Sequence, residues 1–205
     1  MNDISRLRNF VLAFTRLVDA AGGKEDRLLD EGGKLLGELV RHDDWLPEEW
    51  AKPHPEYYQQ HLLYCDPLER FSVVSFVWGP GQKTPVHDHT VWGLIGVLRG
   101  AETCRRFSFA DTGKPMVAGD AQHAPVGTVE CVSPTVGDLH EVANAYDDRV
   151  SVSIHVYGAN IGAVARHVYD AATGKEKDFV SGYASATLPN IWDRSAAVRA
   201  ALQPR

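Results

Sequence analysis

Two histidines stand one residue apart in "TPVHDHTVWG", His87 and His89. On a strand, residues i and i+2 point to the same face, so the pair is expected to aim together. Two charged imidazoles side by side repel, and burying two unpaired rings is costly. A shared cation removes both difficulties, because the neutral ring is a metal ligand. A second group lies in "VSVSIHVYG", where Ser153, His155 and Tyr157 alternate with Ile154 and Val156. On a strand those three polar side chains share one face. Turned inward, they need partners, and a Ser–His–Tyr hydrogen-bond chain would supply them and orient the phenol. Turned outward, the same face would meet water.

The chain that must position these groups has 205 residues, enough for one domain with a sizeable core. Its 44% hydrophobic and 23% charged residues are typical of a soluble globular protein. A formal net charge of -6 argues against a broad nucleic-acid surface, and Arg105-Arg106 is only a short basic cluster. No apolar run approaches the length of a membrane span. The opening "MNDISRLRNFVLAF" is expected to belong to the mature fold rather than to a leader. Cys65, Cys104 and Cys131 are far apart and form no CxxC pair. They suggest neither a disulfide framework nor a thiolate zinc site, and a reducing cytoplasm is the expected setting.

The first third reads as helical. Ile4, Leu7, Phe10, Val11, Phe14, Leu17 and Val18 keep a helical period, which Gly22-Gly23 ends. Leu28, Leu29, Leu35, Leu36, Leu39 and Val40 mark a second helix, and "WLPEEW" opens a short third with Pro47 in its first turn. Then the texture changes. "FSVVSFVW", "WGLIGVLRG", "AETCRRFSF", "TVECV", "HEVAN" and "RVSVSIHVYG" are short β-rich runs between turn residues. "IGAVARHVYD" and "EKDFVSGY" suggest a late hairpin around "AATGK", and "IWDRSAAVRAAL" a closing helix. The expectation is one mainly β domain over residues 1–205. It divides into a helical extension (1–52), a β-barrel core (53–185) and a C-terminal helix and tail (186–205).

A third histidine, His140, stands in "SPTVGDLHEVAN" with Pro134, Gly137 and Asn144 around it. Together with Gly81, His87, His89, Gly93 and Gly100, this resembles the two motifs of the cupin superfamily, a jelly-roll-like double-stranded β-helix. Gly93 stands where the cupin carboxylate ligand is expected. The resemblance therefore implies a metal site of three neutral ligands, His87, His89 and His140. Such an ion keeps its double charge and leaves positions open for an anionic donor and O2. His42, His54, His61, His123 and His167 lack this context and are read as surface or packing residues.

Taken with the Ser153, His155 and Tyr157 run, the sequence resembles the cysteine dioxygenase family of thiol dioxygenases over roughly Tyr57 to Tyr183. That resemblance implies Fe(II) as cofactor. It also implies a small thiol carboxylate and O2 as reaction partners, a sulfinic acid as product, and neither nucleic acid nor membrane as partner. Two departures matter. Gly93-Leu94 stands where animal members carry a cysteine cross-linked to the relay tyrosine, so no cross-link to Tyr157 is expected. "YYQQH" places Gln60 where they carry a carboxylate-binding arginine. The bacterial branch acting on 3-mercaptopropionate has this glutamine and an arginine beyond the relay, where Arg166 stands here. Val164, Arg166 and Val168 would share a strand face, aiming a guanidinium suited to a carboxylate. The resemblance favours 3-mercaptopropionate, with L-cysteine second. Another three-histidine oxygenase that cleaves diketones or aromatic acids, a non-catalytic acid-binding cupin and a metal-free cupin stay open.

Overall fold

The computed structural model describes residues 4–110, 116–184 and 195–202. Helix α1 (Ser5–Ala21) buries Phe10, Phe14, Leu17 and Ala21, one stripe at helical spacing. It stops where Gly22 takes the left-handed conformation, φ 57°. Helix α2 (Glu25–Val40) begins with Glu25 and Asp26 at its positive end and buries Leu28, Gly32, Leu36, Leu39 and Val40. The "WLPEEW" element is a single 3₁₀ turn, Glu48–Trp50, with Pro47 just before it.

The strands form two antiparallel sheets. The first runs in the order β1 (Gln59–Cys65), β2 (Ser72–Trp78), β9 (Ser151–Tyr157), β4 (Gly93–Arg99), β7 (Val129–Val132). The second runs β11 (Glu176–Phe179), β10 (Arg166–Tyr169), β3 (Val86–His87), β8 (His140–Asn144), β5 (Ala101–Phe109), β6 (Met116–Pro125). From β2 to β9 the order is β2-β9-β4-β7 in one sheet and β3-β8-β5-β6 in the other. That is a jelly roll, the cupin arrangement. The expected barrel is thus a pair of separate sheets, not one closed ladder.

The period-2 pattern of the first sheet is resolved on both faces. Val73 and Val77 of β2 and Val152, Ile154 and Val156 of β9 join Phe10, Phe14, Leu36 and Leu39 in one core beneath the helices. Val74, Phe76, Trp78 and Tyr157 turn the other way, into the space between the sheets. Each fully buried large apolar side chain contributes about 1.5–3 kcal/mol, so the helices are part of what holds β9 in place.

Several elements differ from expectation. Strands β1 and β6 are additional. The late hairpin forms between β10 and β11, but "IGA" before it is a 3₁₀ turn, Ile161–Ala163. Val164 ends that turn, so only Arg166 and Val168 lie on β10. The closing helix α3 spans Ser195–Leu202; positions 191–194 and 203–205 of that expected segment lie outside the described residues.

Candidate metal centre and substrate pocket

His87 on β3 stands directly opposite His140 on β8 in the ladder register. His89 arrives differently. Strand β3 ends at His87, so the alternation argument does not place His89. A loop carries it, with Thr90 at φ 60°, a left-handed conformation that a β-branched residue rarely adopts. The carboxylate of Asp138 holds that loop. It accepts from the backbone N–H of His89 at 3.0 Å, from the N–H of Thr90 at 2.9 Å and from His89 Nδ1 at 2.8 Å. Local strain at a functional loop is sustained by such over-determined contacts.

The three rings converge, with one donor nitrogen of each lying within 4.8 Å of the others. Each Nδ1 is turned outward to a partner. His87 Nδ1 donates to the Pro85 carbonyl at 3.0 Å, His89 Nδ1 meets Asp138, and His140 Nδ1 lies 3.5 Å from Cys104 Sγ. Nδ1–H bonded outward leaves Nε2 with its lone pair free, the arrangement of metal-ligating histidines. His89 Nε2 is fully buried and has no hydrogen-bond partner. Burial, then the Arg166 charge, pushes the His87 pKa down to about 4. Burial, then the His87 ring, holds His89 and His140 well below the usual histidine value. Three neutral, buried, convergent imidazoles with an orphaned nitrogen fit a divalent cation.

Beside them lies a partly enclosed cavity of about 50 Å³, lined by Tyr58, Gln60, Phe76, Thr84, Pro85, His87, Tyr157, Arg166, Val168 and Phe179. At about 10–15 Å³ per water-sized probe this admits a ligand of only a few heavy atoms. Among the described residues no carboxylate lines it. Arg166 is 4% exposed. Its Nη2 donates to Ser181 Oγ at 2.8 Å, its Cζ lies 5.0 Å from the centre of the Phe179 ring, and its buried Nε has no partner. Among the described residues it forms no ion pair, and burial pulls its pKa below the ordinary arginine value. A buried guanidinium in this state calls for an anion. Gln60 lines the same cavity, with its amide nitrogen committed to the Gly182 carbonyl.

The third group is the chain on β9. Ser153 Oγ and His155 Nε2 are 2.7 Å apart, as are His155 Nδ1 and the Tyr157 hydroxyl. Phe76 stacks on the His155 ring at 4.0 Å, and Trp78 Nε1 donates to Ser153 Oγ at 3.2 Å. Burial, with the His87 ring adding to it, pushes the His155 pKa down to about 3, and burial raises that of Tyr157 above the ordinary phenol value. The ring is therefore neutral and the phenol protonated at neutral pH.

Gly93 shows why no carboxylate or cysteine occupies that position. A Cβ there would lie 2.8 Å from Tyr157 Cδ1 and 3.0 Å from Val132 Cγ2. The Tyr157 ring fills the space. Sequence reasoning missed Asp138, Cys104 and Tyr58. Asp138 had a signal, two positions before His140 in "VGDLH". His61 and His167 lie outside the cluster: His61 packs near Trp50 with both ring nitrogens unbonded, and His167 Nδ1 pairs with Asp88 at 2.8 Å.

A jelly roll with three inward imidazoles beside a small pocket defines a cupin able to hold a metal. The model of cysteine dioxygenase type I matches residues 42–170, and the chain belongs to that family of iron-dependent thiol dioxygenases. Solved structures similar to it include an uncharacterized conserved protein with a double-stranded β-helix domain from Klebsiella pneumoniae subsp. pneumoniae MGH 78578. That likeness has 14% identity and a TM-score of 0.45, covering 67% of this chain and 96% of that one. An RmlC-like cupin from Desulfovibrio desulfuricans is similar at 22% identity and TM-score 0.38, covering 52% and 88%. A cupin superfamily protein from Desulfitobacterium hafniense is similar at 13% identity and TM-score 0.42, covering 58% and 93%. Among the described residues no helix is long and apolar enough to cross a membrane.

Proposed function

We propose that this thiol dioxygenase acts on a small mercapto-acid, with 3-mercaptopropionate preferred to L-cysteine. The observation that carries the reading is Arg166: a buried guanidinium with an unpartnered Nε, in a cavity of a few heavy atoms that no carboxylate lines among the described residues. A substrate carboxylate would neutralise it. A cysteine ammonium would find no anion among the lining residues to receive it.

His87, His89 and His140 would hold iron(II), which supplies open positions for thiol and O2 and the electrons that activate O2. The chain's own residues do the rest. Arg166 binds the carboxylate and so fixes which end of the substrate faces the histidines. Tyr157 lines the cavity and offers a phenol O–H, held in direction by His155 and Ser153. Phe76, Phe179 and Val168 exclude water, which strengthens the guanidinium–carboxylate attraction. Both oxygen atoms of O2 end on sulfur, giving the sulfinate.

The test is O2 consumption by anaerobically iron(II)-loaded protein with 3-mercaptopropionate and L-cysteine in parallel, with sulfinate quantified. Uptake matched by sulfinate, with the higher kcat/KM for 3-mercaptopropionate, is expected. A higher value for cysteine overturns the substrate choice, and iron binding without sulfinate overturns the reaction. Gln60→Arg should move the ratio toward cysteine, and an unchanged ratio removes Gln60 from the substrate site.

A further inference from the structure

One buried acid lies at the far end of the Ser153–His155–Tyr157 chain and has no part in the reading above. Glu102 on β5 is 2% exposed. Strand β5 belongs to the second sheet, yet Glu102 reaches across to the first, against Ser153 and Trp78. Its Oε1 is buried without a hydrogen-bond partner. An ionised carboxylate so placed would be strongly penalised, whereas a carboxylic acid brings its own donor.

We infer that Glu102 sets the polarity of the relay, and with it whether Tyr157 gives or receives a hydrogen bond in the cavity. With Glu102 protonated, its O–H donates to Ser153 Oγ, and Ser153 O–H donates to His155 Nε2. His155 Nδ1–H then donates to the Tyr157 oxygen, and the phenol O–H is free to donate into the cavity. With Glu102 ionised, every bond reverses. Tyr157 donates to Nδ1, Nε2–H donates to Ser153, and Ser153 donates to the carboxylate. The two arrangements differ by one proton, the one on Glu102, and by the tautomer of His155. In both, Ser153 Oγ can also accept from Trp78 Nε1, so the change strands no hydroxyl.

The surroundings place this change in the working range. Burial raises the Glu102 pKa to about 7, the Ser153 and Trp78 donors oppose that rise, and the Glu130 charge on β7 adds to it. The other titratable groups that interact with Glu102 are Cys104 on its own strand and Tyr157 on β9. Burial pushes the Cys104 thiol up to about 12, so it stays neutral across this range.

The inference uses the proposed role of Tyr157, but its decisive test needs neither metal nor substrate. In metal-free protein labelled with 15N-histidine, the His155 tautomer is followed by NMR against pH, its signal assigned by loss in His155→Gln. The Glu102 carboxyl is followed by its infrared band, assigned by loss in Glu102→Gln. The expected result is one shared midpoint, with Nδ1–H below it and Nε2–H above. Glu102→Gln, whose amide always donates to Ser153, should hold His155 as Nδ1–H at every pH. Ser153→Ala should keep the carboxyl titration and uncouple the tautomer from it. A tautomer that never changes, or that changes equally in Glu102→Gln, overturns the inference.

In the iron-loaded enzyme, kcat/KM should fall as pH rises through that midpoint, and the fall should vanish in Glu102→Gln. A fall that persists unchanged in Glu102→Gln also overturns it. If no thiol is oxidised at all, the functional reading above fails while the tautomer titration still decides the inference.

Discussion

The two walls of the pocket are built in opposite ways. The relay stands on β9, a central strand buried at every residue, with β2 and β4 on either side and the helices behind its apolar face. The histidine wall belongs to the second sheet, whose outlying strands β6 and β11 are largely exposed. On the relay wall, packing from both sides and bonds within the strand fix three side chains at alternate positions. On the histidine wall the rings are buried too, but contacts from outside the cluster orient them: the Pro85 carbonyl, Asp138 and Cys104 each hold one ring. Precision of the first kind resists small chemical changes but not changes of volume. The second kind behaves the other way.

The largest effect is expected from breaking the histidine wall outright. His140→Ala should reduce bound iron to background after anaerobic loading, measured by metal analysis, and abolish O2 uptake. His167→Ala, which touches Asp88 rather than the cluster, should retain both. Next comes Arg166→Ala. A hydrogen bond to a charged group contributes about 1.5–3 kcal/mol, so KM for 3-mercaptopropionate should rise about tenfold to a hundredfold. Cysteamine, which has no carboxylate, should change little. Equal changes for both thiols would take Arg166 out of the substrate site.

The same contrast explains what the sequence disclosed. Ser153, His155 and Tyr157 were legible because a strand buried on both faces obeys period 2 strictly, with Val152, Ile154 and Val156 facing the helices. The jelly roll followed from the turn-bounded β runs and the motif glycines. Strand β6 was not legible, because in "MVAGDAQHAP" only Met116 and Ala124 are buried and the pattern carries almost no apolar signal. His89 was placed beside His87 for a reason that does not hold, since a loop and not a strand delivers it. Asp138 and Glu102 were missed because single-sequence reasoning assigns a lone acid in a turn or strand to the surface. Arg166 was a candidate through the resemblance, and its burial and its register with Phe179 set it on the pocket wall.

Asp138→Asn sharpens the comparison at smaller cost. The amide oxygen can still accept from the His89 and Thr90 N–H groups, but its NH2 then replaces the oxygen that accepted from His89 Nδ1–H, so the ring loses both that bond and the charge behind it. Outer partners of this kind are typically worth about 10–100-fold in metal affinity. Iron affinity, measured by competition with a chelator under anaerobic conditions, should fall within that range. The unfolding temperature of the metal-free protein should stay nearly constant, because little packing is lost. A large drop in that temperature would mean that Asp138 holds the fold rather than the ligand.

Gly93→Ala makes the converse change on the relay wall. The added methyl would lie 2.8 Å from Tyr157 Cδ1 and 2.9 Å from its Cε1, and the ring is buried. Overpacking of this kind costs about 1–3 kcal/mol. For a chain of this size that is a fall of about 2–12 °C in unfolding temperature, measurable without metal. A shifted ring also stretches the 2.7 Å contact from Tyr157 to His155, so turnover should fall while iron content is retained. Gly33→Ala in α2 is the control. The nearest atoms to its new Cβ are 3.9 Å away, and helix propensity favours alanine by about 1 kcal/mol. Gly33→Ala should therefore stabilise while Gly93→Ala destabilises. Equal effects would mean that the close approach of Tyr157 to Gly93 does not position the phenol.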